Sequence, residues 1–146
     1  RYVQELPQLD EHQQEIAAGV DWALRGDAGQ RALVAWHMGW PAAVAASGSA
    51  WLPLYLSALL EDSYNAVRLL AYRSLSRQAG FRDLPFQYIR TGEDRSGQIA
   101  RQRWQQSMAK QRSGRAILIE DGGVVRESVF QELLKQRDDR PVQLAE

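Results

Sequence analysis

The chain has 146 residues, 45% of them hydrophobic and 25% charged, which is enough to bury a core of its own and far from the composition of a disordered segment. Its 18 Lys and Arg balance 18 Asp and Glu, so it lacks the global positive field that drives non-specific binding to nucleic acid or anionic membranes. With no Cys there are no disulfides, thiolate metal sites, Cys nucleophiles or covalent haem attachments, and no apolar run reaches the roughly 18 residues of a membrane span.

Residues 1–10 lack the apolar stretch of a signal peptide. The start at Arg1 rather than Met leads to the expectation that residues 1–146 are one domain of a longer protein. From Glu11 to Leu24, apolar residues at Ile16, Ala17, Val20, Ala23 and Leu24 follow a helical period that stops at Gly26. Asp27 and Gln30 have the spacing of a capping box, so a second helix is predicted from about Ala28 to Met38, with Leu33, Trp36, His37 and Trp40 as its apolar stripe. Gly39 and Pro41 end that helix, a short helix fits Pro41 to Ala46, and Ser47-Gly48-Ser49 reads as a loop.

Trp51 to Glu61 places Leu52, Tyr55, Leu56, Leu59 and Leu60 on one helical face. After a turn at Asp62-Ser63, the residues Val67, Leu70, Ala71, Ser74 and Leu75 repeat the pattern up to Gly80. Residues 81–89 read as an irregular packed connection. Thr91-Gly92-Glu93-Asp94 then caps a polar helix reaching about Gln111, anchored only by Ile99, Trp104 and Met108. Ala116 to Ile119 is a short apolar run before the turn Asp121-Gly122-Gly123. Val125, Val129, Phe130, Leu133 and Leu134 mark a last helix, and Asp138 to Glu146 a docked or frayed tail.

Aligning Arg31 with Arg68 superimposes two helices, each preceded by a turn acid, Asp27 or Asp62, and each carrying an Ala-rich apolar stripe. Self-similarity at a period of about 40 residues is the mark of stacked helical hairpins. Asp62, Val67-Arg68, Ala71 and Ser74-Leu75 resemble the second helix of a HEAT repeat, whereas the first copy departs from the pattern with Gln30 before Arg31 and Trp36 in the stripe. The expected fold is therefore all-α, an α-solenoid of antiparallel hairpins with two to three repeats and C-terminal cap helices.

More narrowly, residues 27–40, the Val67-Arg68 helix and the tail from Gln136 to Val142 resemble the C-terminal HEAT segment of bacterial multihaem c-type cytochromes that also carry tetratricopeptide repeats. That resemblance implies an exported or periplasmic parent whose haem domains lie elsewhere, and no cofactor in this chain.

His37 sits between Trp36 and Met38 but has only His12 as a second histidine and no partner at i+4, so a core or groove role outweighs a metal or haem role. Trp36, Trp40 and Trp51 could line an aromatic groove, although large aromatics at helical spacing more often fill a core. Placing Gly122 at the sixth position of a calcium loop puts Ile117 and Ile119 where acids are required, so that loop fails. Ser47-Gly48-Ser49 lacks the spacing of a nucleophile elbow. Arg90, Arg95, Arg101, Arg103, Lys110, Arg112 and Arg115, with Trp104 among them, form a basic stretch that could meet phosphate or an acidic partner, or simply be a solvated face.

The reading is a non-catalytic protein-binding or scaffolding module, without catalytic or metal residues. Its partner is a protein, a peptide or another domain of the parent. Trp36, His37, Trp40, Arg68, Arg101 and Trp104 are the candidate binding residues. The alternative is a HEAT-like nucleic-acid-binding domain with a basic face, which the zero net charge disfavours. Arg68 is expected to bond turn carboxylates or carbonyls of a neighbouring repeat, with Asp27 and Asp62 the first partners to check.

Overall fold

The structure is a computed structural model that describes residues 17–107 and 114–140. Among the described residues the α-helices are α1 (Ala18–Arg25), α2 (Ala28–His37), α3 (Pro41–Ser47), α4 (Leu52–Leu59), α5 (Asn65–Ser76), α6 (Ser96–Ser107) and α7 (Glu127–Lys135). A 3₁₀ turn at Arg115–Ile117 leads into the one sheet among the described residues, in which β1 (Ile119–Glu120) pairs antiparallel with β2 (Val124–Val125). The described chain is thus mostly helical, with the short extended pairing where the apolar run at Ala116 to Ile119 was read.

Local chemistry sets the helix starts. The capping box at α2 is complete: the Asp27 carboxylate accepts from the Gln30 N–H at 2.8 Å, and the Gln30 side chain accepts from the Asp27 N–H at 3.0 Å. Pro41 and Pro53 lie in the first turns of α3 and α4, where the missing N–H costs no intrahelical bond. The positive φ of 89° at Gly80 lies in the turn that follows α5.

Helix α4 is the centre of the molecule, buried on every side from Leu52 to Ser57, and it packs against α1, α5 and α6. A helix apolar all round belongs in a core. Helix α2 packs along α5, α1 lies against both α2 and α4, and α7 closes on α1. Leu56, Leu59, Val67, Ala71 and Leu75 are buried together as the hairpin pattern requires, with Leu70 half-buried beside them. The Tyr55 phenol donates to the Ile117 carbonyl, and burial holds its pKa far above the ordinary tyrosine value.

Several expectations are corrected. The face of α2 that packs inward carries Ala28, Arg31, Val34 and Ala35, whereas Leu33, Trp36, His37 and Trp40 face outward. Both arcs have helical spacing, and the inner one is the arc that packs toward α5. Helix α5 ends at Ser76, before Gly80, and Val125 belongs to β2 rather than to the last helix. Helix α6 begins after Asp94, whose carboxylate accepts from the Ser96 N–H at 2.9 Å. The readings at His12, Ile16, Met108, Lys110, Arg112 and the tail beyond Arg140 lie outside the described residues.

Candidate functional site

Two buried arginines, on α2 and α5, tie distant parts of the chain together. The Arg31 guanidinium donates to both oxygens of Asp62, at 2.6 and 3.2 Å, to the Gly26 carbonyl at 2.7 Å and to the Asp138 carbonyl at 2.6 Å. Arg68 donates to the Asp94 carboxylate and to the carbonyls of Leu60 and Gln87, both at 3.1 Å, and its charge lies 5.3 Å from the Phe86 ring centre. Asp62 and Asp94 are oriented in the same way, each accepting at 2.9 Å from the backbone N–H two residues on, at Tyr64 and Ser96. The Arg68 link therefore exists, but its acid is Asp94, and Asp62 serves Arg31 instead. Each arginine reaches forward to the carboxylate of a later turn while also bonding a carbonyl of the turn behind it, Gly26 or Leu60.

The outward face of α2 is an open apolar surface. Leu33 is 54% exposed, Trp36 52% and Trp40 48%, and Trp22 of α1 is 37% exposed alongside. The Trp36 and Trp40 rings stack with centroids 6.0 Å apart at 17°, with the His37 ring 5.8 Å from Trp40. Next to this stack a groove of about 570 Å³ runs between α1, α2 and α3, lined among others by Trp22, Leu33, His37, Met38, Val44 and Trp51. Among the described residues no Lys, Arg, Asp or Glu lines it, and Trp51 forms its buried floor.

Of the residues singled out from sequence, Trp36, His37 and Trp40 come together on this face. Arg68 and Trp104 do not belong to it or to any open surface: both are buried, and the Trp104 indole donates to the Ala50 carbonyl at 2.7 Å. Arg101 lies on the other side of the molecule, in a cleft of about 520 Å³ between α4, α6 and α7 with Glu61, Lys135 and Arg137. Burial lowers its pKa, against the raising effects of Glu61 and Tyr55, and its guanidinium bonds Glu127 and lies over Phe130. Arg103 bonds Asp83 at 2.8 Å, and Arg90 donates to the Glu61 carbonyl at 2.8 Å. Within the basic stretch, Arg101 and Arg103 are thus paired with acids and Arg90 is held by a backbone carbonyl.

The groove residues Trp22 and Leu33 and the Arg31–Asp62 pair were missed from sequence as site-forming. The signal for the first lay in α2 itself, whose apolar residues occupy more than one side of a helix that can bury only one against α5. Among the described residues no three His, Asp or Glu side chains are grouped to hold a metal ion, and no helix is long and apolar enough to cross a membrane. No known protein family, curated protein or solved structure matches the chain.

Proposed function

We propose that this chain is a non-catalytic, HEAT-like stack of helical hairpins that holds an apolar segment of a partner protein on α2 and in the adjoining groove. The open apolar face carries the reading: Leu33, Trp36 and Trp40 are each about half exposed, beside a groove whose described lining carries no Lys, Arg, Asp or Glu. Contiguous exposed apolar surface bordered by polar residues is the usual mark of an interaction site, and stacked indoles supply rigid contact area at low entropic cost. The hairpin-stack reading is supported by the forward-reaching links Arg31–Asp62 and Arg68–Asp94 and by the packing of α2 on α5 and α1 on α4. The resemblance to the HEAT segment of multihaem cytochromes extends the proposal to an exported parent protein, in which the module would act as scaffold.

The nucleic-acid reading is the weaker one, because Arg68 is buried and Arg101 and Arg103 are held by Glu127 and Asp83. The test is a selection of displayed peptides against the immobilised chain. Enriched peptides are expected to be apolar and uncharged along one face, and to lose binding to Trp36→Ser and Leu33→Ser variants. Enrichment of acidic peptides whose binding ignores both substitutions would overturn the reading.

A further inference from the structure

We infer that the cleft between α4, α6 and α7 binds a small acidic amino acid, taking its two carboxylates on Arg101 and Lys135 and its ammonium on Glu61. The cleft shares no described lining residue with the groove beside α2.

Among the described residues the cleft is lined by three cationic side chains, Arg101, Lys135 and Arg137, and by two acids, Glu61 and Asp139. Arg137 and Asp139 are closed on each other, the guanidinium donating to both carboxylate oxygens at 2.9 and 3.1 Å. Lys135 and Glu61 are exposed, and among the described residues neither side chain is bonded to a group of opposite charge. Arg101 donates through Nη2 to Glu127, which is not among the described lining residues, and has no other acceptor among the described residues. A guanidinium carries several N–H donors in a planar fork, so it can take a second carboxylate beside the first. The Arg101 charge lies over the Phe130 ring, 5.4 Å from its centre, and the burial that lowers its pKa also reduces the screening of an anion placed beside it. A Cβ on Gly97 would collide with the Glu61 stem, which therefore lies against the first turn of α6. From there Glu61 acts on Arg101 to raise its pKa without forming an ion pair with it.

The groups left over are two cations and one acid, so the complementary ligand carries two anions and one cation. An α-amino acid with a carboxylate side chain has that set. The two cations are set apart along α7: Arg101 lies over Phe130, and Lys135 follows five residues later, about 7.5 Å along the helix axis. That separation suits one carboxylate at each end of a short chain. Ala58, Phe130 and Leu134 supply apolar surface in the same cleft for its methylene groups. At about 520 Å³ the cleft is of small-molecule size, a range of about 300 to 1,000 Å³. A phosphate or a nucleic-acid backbone brings anions alone, and would meet Glu61 with no cation to offset the repulsion.

The probes are glutamate, glutarate, which lacks the ammonium, and 2-aminobutyrate, which lacks the second carboxylate. Each is titrated by calorimetry at low salt into the full chain and into its Lys135→Gln and Glu61→Gln variants. Both positions are exposed, so the fold is retained, and unchanged far-ultraviolet dichroism checks this. Glutamate is expected to bind with a Kd below about 10 mM, and each truncated probe about fivefold more weakly, the range of an exposed ion pair. Lys135→Gln should weaken glutamate about fivefold and leave 2-aminobutyrate unchanged. Glu61→Gln should weaken glutamate and leave glutarate as tight or tighter. If glutarate binds as tightly as glutamate, the cleft is a plain carboxylate site and the amino-acid assignment falls. It falls equally if 2-aminobutyrate matches glutamate or if Lys135→Gln changes nothing, since the second carboxylate then has no partner. Absence of saturable binding by all three at about 10 mM overturns the site itself.

Discussion

Arg31 has every guanidinium nitrogen occupied inside the protein and no exposed surface, so it is a structural element rather than a surface charge. Removing it leaves Asp62 buried beside Leu60 with only the Tyr64 N–H for a partner. Arg31→Ala is therefore expected to cost about 3 to 5 kcal/mol, read as a lower urea midpoint at unchanged slope. A loss below about 1 kcal/mol, the range of exposed pairs, would show that water replaces the guanidinium. Nothing in a hydrophobicity pattern marks such a residue: an arginine scores as solvent-facing wherever it falls, and only a carboxylate distant in sequence brings it inward. The half-buried Asp138 behaves differently. Hydrogen bonds from the Arg140 side chain and backbone hold its pKa down at about 2, below the ordinary value of 3.8. Its contribution to stability is present above the unfolded value and is lost as pH falls through about 2. Carbon-detected NMR titration should place the Asp138 midpoint near 2 and return it toward 3.8 in Arg140→Ala, and an unmoved midpoint would discount the contact.

Helix pairs in this fold meet through small residues at their closest points, which is a property of elements rather than of single side chains. A Cβ on Gly97, in the first turn of α6, would lie 2.8 Å from the Ser57 carbonyl of α4. A Cβ on Gly39, just past α2, would lie 2.8 Å from the Ser74 Cα of α5, beside the hydrogen bond from Ser74 to the Ala35 carbonyl. In both places the obstacle is backbone, so the helices themselves must separate. Gly97→Ala is expected to cost about 1 to 3 kcal/mol with helix content unchanged, measured by far-ultraviolet dichroism and thermal melting. An unaltered melting temperature would mean that α6 slides along α4 at no cost. Helix existence was legible in the sequence wherever a stop residue stood at its end: Gly26, Gly39 with Pro41, and the Asp62-Ser63 turn each bound a helix as read. Facing was not. In α2 the Leu33, Trp36 and Trp40 arc and the Val34, Ala35 and Met38 arc both satisfy helical spacing, and the choice between them is made by α5. The candidate site was legible as residue types, with Trp36, His37 and Trp40 together, but not as an open face, because exposure is decided by what the rest of the chain leaves uncovered.

At the scale of the whole molecule, the order of contacts departs from that of an open helical stack. In such a stack each hairpin touches only its sequence neighbours, so a terminal hairpin can open alone. Here the C-terminal part of the described chain returns to α1. Helix α7 packs on α1, the Phe130 ring lies 5.8 Å from Tyr55 of α4, and the Ala17 N–H donates to the Ala116 carbonyl at 3.0 Å. Beyond α7, Gln136 bonds Arg25, the Asp138 carbonyl accepts from Arg31, and Asp139 accepts from Ser63. These closures make α1 part of the same cooperative unit as the buried α4. In native-state hydrogen exchange, the amides of Val20 to Leu24 should therefore open with the same free energy as those of Leu56 to Leu59, and tryptophan fluorescence and dichroism should trace a single unfolding transition. Phe130→Ala removes the largest side chain of the closure, buried to 1% exposure, and is expected to cost about 3 to 5 kcal/mol. It should also separate the two sets of amides, with α1 opening first, because the mutation cuts the tie from α7 while leaving the contacts of α4 with α5 and α6 in place. If the α1 amides already exchange several kcal/mol below the global value in the unmodified chain, the closure is too weak to couple the ends. The first hairpin, with its open α2 face, would then be an independently mobile unit.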